Sequence, residues 1–437
     1  MVIKDLSAET ITKGIQSHID QVETMREAER QALLSYYEHN STDQFVRKYF
    51  EGTSLAQIPV FTQAFLRRAV DQRALVYKDN PNIKADQKYF DATPDLNTVR
   101  RQQEKFTFLL GTMGCLSRFD KEAKKLKHSP LTIFKPLFLE GETEPIAVMY
   151  PIFNYDNARV GQQKYVVWSR DYDGEKGKHF LFDGSKRIAV PGNEDMVNDY
   201  GVLPVTFTHR SPQVTGEFWV EGASDLKRAN LHLDIMLTQL MLAYRFDAIG
   251  VKWMKNVDVD ENEAIPTGTD KFLMLPEEAD IGRLESANMD QLIAAAKFTA
   301  EVVLQNNHLM IKWAGDSQAK SGEALKMENI ENYEQRESSV EDTWRKWERD
   351  RFAVDRIILE KHGIKVTDQN EVDFVEPTPP MSQAEEREQW SWEFTEFGDE
   401  RKREYWRQRD PEMTDEDINK LIAPKPVKTF GSLLSPE

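Results

Sequence analysis

The sequence has little cysteine and no long apolar run. Its 437 residues include one cysteine, Cys115, which excludes an intrachain disulfide framework and a zinc site built from several thiolates. A lone thiol fits synthesis in a reducing compartment. Every apolar run is far shorter than the ~20 residues that span a bilayer, and the first residues lack the apolar region of a signal peptide. We therefore expect a soluble protein made in the cytosol.

Positive charge is also scarce. The chain has 57 Lys and Arg against 74 Asp and Glu, a formal net charge of −17. Tight nucleic-acid binding comes from Lys and Arg that neutralise phosphates, so the chain is a poor candidate for wrapping DNA. If DNA is a partner, we expect the protein to guide it without binding it tightly. The hydrophobic fraction of 40% is still enough for a core, and the length predicts roughly two to four structural units.

Motifs for catalysis and metal binding are missing. The eight histidines are scattered and form no HxxH or HExxH pattern, and no Walker A, GxGxxG or GxSxG motif occurs. The segment 258–262 begins like a calcium loop, but Glu263 and Thr269 occupy the positions that require Gly and Glu. We therefore expect a protein that is not an enzyme and has no metal or cofactor. In so acidic a chain, acid–base catalysis by a pair of carboxylates that no motif singles out remains an alternative.

Hydrophobic periodicity divides the first half of the chain into helices followed by strands. Helices are predicted over 7–36, 60–77 and 93–110, the last with Thr93 as N-cap and Pro94 in the first turn. Short β-branched and aromatic runs then alternate with turns, which predicts an antiparallel meander. The predicted strands are 131–139, 146–153, 165–169, 179–182 and 187–190.

The helical period returns after Gly222. Helices are predicted over 224–250 and 288–305, with about 35 residues of strand and turn character between them. A third helix over 322–362 would be a rod of roughly 60 Å, which must span a layer or pack against neighbouring chains. Charged helices over 385–409 and 415–422 follow a proline-rich break. The fold class expected is α+β and mainly helical.

The third helix carries an apolar seam with two polar interruptions, Glu337 and Arg351. The seam residues are Ile330, Tyr333, Val340, Trp344, Trp347, Val354 and Ile358. Tryptophans at seam spacing favour core packing over a platform for base stacking. The unmatched seams of 224–250 and 322–362 are candidates for contacts with neighbouring chains.

Basic residues cluster at three places. The clusters are Arg67 with Arg68, Arg100 with Arg101, and the group Lys121, Lys124, Lys125 and Lys127. Such runs usually form solvated faces, and we expect the same here.

Four stretches in the second half of the chain form a recognisable series. Glu221–Leu226 opens the first long helix, and Lys271–Pro276 with Ile281–Glu285 leads into the second. Ser321–Lys326 has the pattern SGxALK before the third helix. Val372–Phe374, three prolines and Met413–Ile418 complete the series. In order and spacing these stretches resemble the portal proteins of tailed double-stranded DNA bacteriophages.

The resemblance covers about 220–437 and implies the portal fold, with wing, stem, clip and crown. The proline that usually precedes the SGxAL loop is absent, because Asn306, Asn307 and His308 stand there. The implied regions are 1–221 (N-terminal wing), 222–250 (first stem helix), 251–285 (clip), 286–306 (second stem helix), 307–375 (C-terminal wing) and 376–437 (crown and tail).

The resemblance also implies a location and partners. Portal subunits form a ring of about twelve copies at one capsid vertex, in contact with the major capsid and scaffolding proteins. Double-stranded DNA passes through the channel during packaging and ejection without tight binding. The clip docks the terminase motor and later a head–tail adaptor. A ring whose subunits each carry −17 would repel phosphate on average.

Candidate site residues follow from this resemblance. In the tunnel loop, about 308–321, Lys312, Asp316 and Lys320 would face the DNA; the alternative is a loop that does not touch it. The residues expected to dock partners at the clip are Lys255, Asp258, Asp260, Glu261 and Lys271.

Two rival interpretations remain open. The first is another virion or scaffolding protein that assembles through its long helices. The second is an enzyme with a diffuse acidic site, which would be stabilised by a metal or a nucleotide.

Overall fold

The computed structural model describes most of the chain. The described residues are 2–3, 10, 21–40, 42–51, 59–152, 164–183, 186–213, 217–249, 252–255, 280–283, 289–310, 330–375, 383–409 and 415–422. Residues 1–312 and 331–377 form one compact unit, and 313–330 and 378–437 form another. Helices and strands are mixed, and the sheets are antiparallel apart from one edge strand.

The first unit contains nine described helices. They are α1 Gln21–Glu38, α2 Thr42–Tyr49, α3 Phe65–Arg73, α4 Gln87–Ala92, α5 Leu96–Leu110, α6 Ser224–Ile249, α7 Met289–Asn306, α8 Ile330–Ser339 and α9 Arg345–Lys361. A π-helical turn, Val340–Trp344, joins α8 to α9.

The predicted helices of the N-terminal part need correction. The helix predicted over 60–77 is shorter, Phe65–Arg73, because the residues before it are held against α6. Thr93 and Pro94 do not begin a helix; they lie in the turn between α4 and α5, and Asp95 takes the N-cap position. Of the helix predicted over 7–36, the structure describes Gln21–Glu38 and the helical Thr10.

Thirteen strands are described. They are β1 Val2–Ile3, β2 Asn82–Ala85, β3 Thr112–Asp120, β4 Lys125–Leu131, β5 Lys135–Leu139, β6 Ala147–Pro151, β7 Lys164–Ser169, β8 His179–Asp183, β9 Lys186–Ile188, β10 Val205–His209, β11 Lys252–Lys255, β12 Asp280–Arg283 and β13 Asn370–Asp373.

The predicted meander corresponds to β5–β9, five consecutive antiparallel strands with β1 added in parallel at one edge. The run predicted as one strand over 131–139 is divided between β4 and β5. A separate three-stranded sheet has the order β10-β3-β4, and β13 pairs with β2. The sequence did not predict β3, whose first six residues are all buried and show no alternation.

Close backbone contact ties the end of α5 to the start of α6. Gly111 ends α5 with a φ of 81°, and a Cβ placed there would lie 2.0 Å from the carbonyl oxygen of Val220. A Cβ at Gly222 would lie 2.3 Å from the carbonyl oxygen of Leu109. Ala223 N donates to the same Leu109 oxygen at 2.9 Å. This junction fixes the point at which α6 leaves the body of the unit.

Helices α6 and α7 form an antiparallel hairpin. Their bounds lie within one residue of the predicted 224–250 and 288–305. Near the outer end of the hairpin, β11 pairs with β12 in antiparallel register from Lys252↔Arg283 to Lys255↔Asp280. At the inner end, Asn307 Nδ2 donates to Asp225 Oδ2 at 2.6 Å. The segments 256–279 and 284–288 lie outside the described residues.

The third predicted helix is present from Ile330 to Lys361. It ends where predicted, since Gly363 has a φ of 83° and donates to the carbonyl of Glu360. Its seam packs into two core clusters of the same chain: Val340, Trp344 and Trp347 join the first, and Ile358 joins the second. The expectation that this seam faces neighbouring chains is therefore wrong for these four residues. Tyr333 and Val354 are half-buried, and Ile330 is exposed.

The second unit contains two described helices, α10 Gln383–Arg409 and α11 Asp415–Ile422, close to the predicted bounds. Gly398 interrupts α10 with φ 67° and ψ −147°. The rings of Trp390 and Tyr405 lie 4.7 Å apart, and those of Phe394 and Tyr405 lie 5.4 Å apart. These contacts show that α10 folds back on itself at Gly398.

Candidate functional site

Most residues predicted to meet DNA or partners lie outside the described residues. This applies to Lys312, Asp316 and Lys320 of the predicted tunnel loop, and to Asp258, Asp260, Glu261 and Lys271 of the predicted clip. Lys255 ends β11 opposite Asp280. The roles given to these residues stay predictions.

The inner half of the α6–α7 hairpin is fixed to the body by a polar ladder on α6. Asn230, Asp234 and Thr238 follow one another at a spacing of four residues and are fully buried. They accept hydrogen bonds from the backbone N–H groups of Leu66, Gln63 and Phe61, at 2.9, 3.0 and 3.0 Å. The ladder satisfies the polar backbone of the extended segment before α3.

Asp234 is the titratable member of this ladder. Burial raises the pKa of its carboxyl to about 7, against the opposing effect of the hydrogen bonds from Gln63 and Asn230. No pattern in the sequence predicts this ladder, because polar residues at helical spacing usually face solvent.

The outer half of the hairpin exposes apolar side chains. Phe298 is 67% exposed and Tyr244 is 64% exposed, although both belong to helices of the same hairpin. The other large apolar residues exposed on the two helices are Met241, Leu292 and Ile293, with Val302 nearer the inner end. Ala300, Leu304 and Leu309 near the inner end are buried, although Val302 between the first two is exposed. Exposed apolar side chains of this kind are candidates for protein association, and we call the six exposed residues the hairpin face.

A buried ionic network lies beneath the long helix. Arg100 donates to both oxygens of Glu348, at 2.7 and 2.8 Å, and Arg351 also pairs with Glu348. Tyr77 Oη donates to Glu348 at 2.9 Å. Burial alone would raise the pKa of Glu348, but Arg351 and Arg100 outweigh it and lower the pKa to about 2.

Asp355 is the second acid of this network. It accepts hydrogen bonds from Ser117 at 2.7 Å, Tyr89 at 2.9 Å and Arg351 at 3.1 Å, and His128 Nε2 lies 2.9 Å away. Burial raises the pKa of Asp355, but His128 and Arg351 reverse the effect and hold it below its ordinary value. In a catalytic triad the serine donates its proton to the histidine. Here both Ser117 and His128 contact Asp355, and Ser117 donates to Asp355 instead of His128, so the arrangement does not activate a serine nucleophile.

The network corrects one prediction about the basic clusters. Arg100 was placed by its sequence pattern on a solvated face, but its side chain is 3% exposed and paired with Glu348. The predicted polar interruption at Arg351 is likewise a buried ion pair. The solvated placement is confirmed for Arg67, Arg68 and Arg101, and for the lysines of the β3–β4 turn and the start of β4, Lys121, Lys124, Lys125 and Lys127. Among the residues that the structure describes, no group of three His, Cys, Asp or Glu side chains is placed to hold a metal ion.

The comparisons with known proteins concern structure. No protein-family model and no curated protein sequence matches the chain. In structure the chain is weakly similar to "Neck of native GTA particle computed with C12 symmetry", with 10% identity and a TM-score of 0.39, over 83% of this chain and 90% of that chain. It is also similar to "Neck of empty GTA particle computed with C6 symmetry", with 10% identity and a TM-score of 0.36, over 88% and 93%. GTA denotes a gene transfer agent. No helix in the described part of the chain is long and apolar enough to cross a membrane.

Proposed function

We propose that this chain is a structural subunit of a ring-shaped portal at one capsid vertex of a tailed, phage-type particle. The observation that carries the proposal is the α6–α7 hairpin, which holds a two-stranded ribbon near its outer end and exposes apolar side chains along its outer half. The order of hairpin, SGxAL stretch and long helix supports the proposal, since it is the order that the portal resemblance implies.

The hairpin face supports association between copies of the chain. A closed ring needs two different, complementary surfaces on each subunit. Subunits of net charge −17 repel one another at long range, and apolar packing at short range is one contribution that favours their contact. The hairpin face supplies such packing, whereas the seam of the long helix is used within the chain.

The proposal gives each region a role. Residues 251–285 are the docking tip for the terminase motor and the adaptor, and residues 376–437 form the crown. Lys312 and Lys320, with Asp316 between them, contact the passing DNA. The ring conducts and retains DNA, and the hydrolysis of ATP belongs to the motor that it binds.

Negative-stain imaging of the purified protein tests the proposal. The expected result is closed rings with a central channel. Open filaments, bundles or single chains would instead favour a scaffolding protein that assembles through its helices. A second sample, with 256–279 replaced by a short turn between β11 and β12, tests the docking tip. It should still form rings but should no longer bind the motor or the adaptor; retained binding would contradict the tip assignment.

A further inference from the structure

A polar cleft lies where the end of α7 meets α5 and α8. It has a volume of about 250 Å³ and opens to solvent at the surface of the first unit. Three arginines from three separate segments line it: Arg73 at the end of α3, Arg210 after β10, and Arg336 on α8. His209 and His308 also line the cleft. It is separate from the hairpin face and from the ionic network.

Two of the arginines share one aromatic ring. The guanidinium carbon of Arg210 lies 4.3 Å from the ring centroid of Phe108, and that of Arg73 lies 6.0 Å from it. Burial, together with the neighbouring charge of Arg210, lowers the pKa of Arg73 to about 10, against the opposing effect of Glu104. The fold therefore holds two like charges close together at the edge of a cleft. Glu104 acts on Arg73, and Asp225 and Glu221 act on Arg210, in the opposite direction, and an anion between the two arginines would offset their repulsion further.

The hydrogen bonds of these two arginines go to neutral oxygens. Arg73 donates to the side chain of Asn332 at 2.8 Å, to its carbonyl at 3.3 Å and to Gln335 at 3.4 Å. Arg210 donates to Gly222 O at 3.0 Å and to Asn307 Oδ1 at 2.8 Å. A guanidinium has five N–H donors, so both arginines keep donors without an acceptor among the described residues. Neither forms an ion pair within 4 Å in that part of the chain.

The acidic residues of the cleft do not cancel its charge. Glu104 and Asp342 line it beside the three arginines, which leaves one net positive charge when the histidines are neutral. The oxygens of Glu104 are occupied by the N–H groups of Val76 and Tyr77, at 2.7 and 2.9 Å. Asp342 accepts from Ser338 at 3.1 Å. Arg336, 4% exposed, donates to Val375 O at 2.5 Å and so is held rigidly at the wall.

We infer that this cleft binds a phosphate-class oxyanion, held by the forked N–H groups of Arg73 and Arg210. Guanidinium groups that approach from different segments suit the several oxygens of a tetrahedral anion, and Arg is the residue that most often makes such paired contacts. The anion is either free inorganic phosphate or a phosphodiester of a nucleic acid, because both present negatively charged non-bridging phosphate oxygens. The site does not depend on ring assembly, so its failure would leave the proposed function unaffected.

Calorimetric titration of the purified protein with inorganic phosphate, at constant ionic strength set with chloride, tests this site. Saturable binding to the wild-type chain is expected. Arg73→Gln and Arg210→Gln should each weaken it at least tenfold. Arg345→Gln is the matched control and should bind as the wild type does, because Arg345 lies outside the cleft in an exposed pair with Glu341. Circular dichroism checks the fold, and Arg210→Lys, which keeps the charge but loses the fork, replaces any glutamine variant that fails to fold.

The source of the anion is decided by competition. A short duplex DNA that displaces phosphate from the wild-type chain, but binds less well to the Arg210 variants, identifies a phosphodiester. A duplex that leaves phosphate bound identifies the free anion. Phosphate that does not saturate the wild-type chain, or that binds all variants equally, overturns the inference. An acidic peptide that occupies the cleft when phosphate does not would overturn it as well.

Discussion

At the scale of single residues, Glu348 is the most constrained side chain beneath the long helix. Its side chain and that of Arg351 are each 1% exposed, so neither charge can be solvated by water. Glu348 pairs with Arg351 and Arg100, which are both buried, and Asp355 supplies a second carboxylate to Arg351. Each partner is therefore needed to offset the desolvation of the others.

Replacing Glu348 tests this dependence. Glu348→Ala leaves the buried Arg100 without a carboxylate and Arg351 with Asp355 alone, and should lower the free energy of unfolding by about 3–5 kcal/mol. Glu341→Ala on the same helix removes a pair of the same 2.7 Å length whose side chains are exposed, and should cost about 1 kcal/mol or less. Urea denaturation of the two variants measures the difference. Equal losses would show that the buried network does not stabilise the fold.

Asp234 should make stability depend on pH. Its folded pKa of about 7 lies above its ordinary value of 3.8, so between these pH values the native state binds more protons than the unfolded state. The free energy of unfolding should therefore fall as pH rises towards 7, and this contribution should be constant above it. In Asp234→Asn the stability relative to wild type should rise between pH 5 and pH 8, measured by urea denaturation at each pH. A difference that does not change with pH would exclude an elevated pKa for Asp234.

At the scale of secondary-structure elements, the contact between the C-terminal end of α5 and the start of α6 depends on glycine. Gly111 combines a positive φ with a backbone neighbour at the position of its missing Cβ. Gly141 has a similar φ of 86° but nothing within 4 Å of that position, which makes it a matched comparison.

Alanine substitutions at Gly111 and Gly141 separate the cost of a positive φ from the cost of a steric clash. Gly141→Ala should cost roughly 1 kcal/mol for the left-handed conformation alone. Gly111→Ala has the same cost and also forces the backbone at Val220 to move, so its loss should be larger by about 2 kcal/mol or more. Thermal unfolding of both variants measures the two effects. A Gly111 variant no less stable than the Gly141 variant would contradict the close packing of this junction.

Long periodic elements could be predicted from the sequence, and densely packed ones could not. Helices α6 and α7 were predicted within one residue, because their apolar spacing persists over several turns. Strand β3 was missed, because a strand buried on both faces has no alternation to detect.

The same limit applies to the polar sites. The ionic network joins Arg100 to Glu348, which are 248 residues apart in the chain. The sequence pattern predicts a solvated face for Arg100 and singles out nothing at Glu348, and only the packing of α5 against the long helix brings them together. The cleft is similar, since Arg73 and Arg210 belong to different elements and neither has a local signature.

At the scale of the whole molecule, exposed apolar surface and net charge act in opposite directions. The charge of −17 keeps separate copies apart, whereas the hairpin face gains free energy when it is removed from water. Phe298 is the largest exposed contributor on α7. Assembly of this chain should therefore be more sensitive to a charge at Phe298 than to one elsewhere on the surface.

Mass photometry of the wild-type chain and two variants tests the central claim most directly. Twelve copies of a 50.7 kDa chain predict a species of about 610 kDa for the wild type. Phe298→Asp should reduce it to small species, whereas Tyr172→Asp, which changes an exposed aromatic residue away from the hairpin, should leave it intact. A wild-type protein that remains a single chain, or a Phe298 variant that assembles as well as the wild type, would contradict the account.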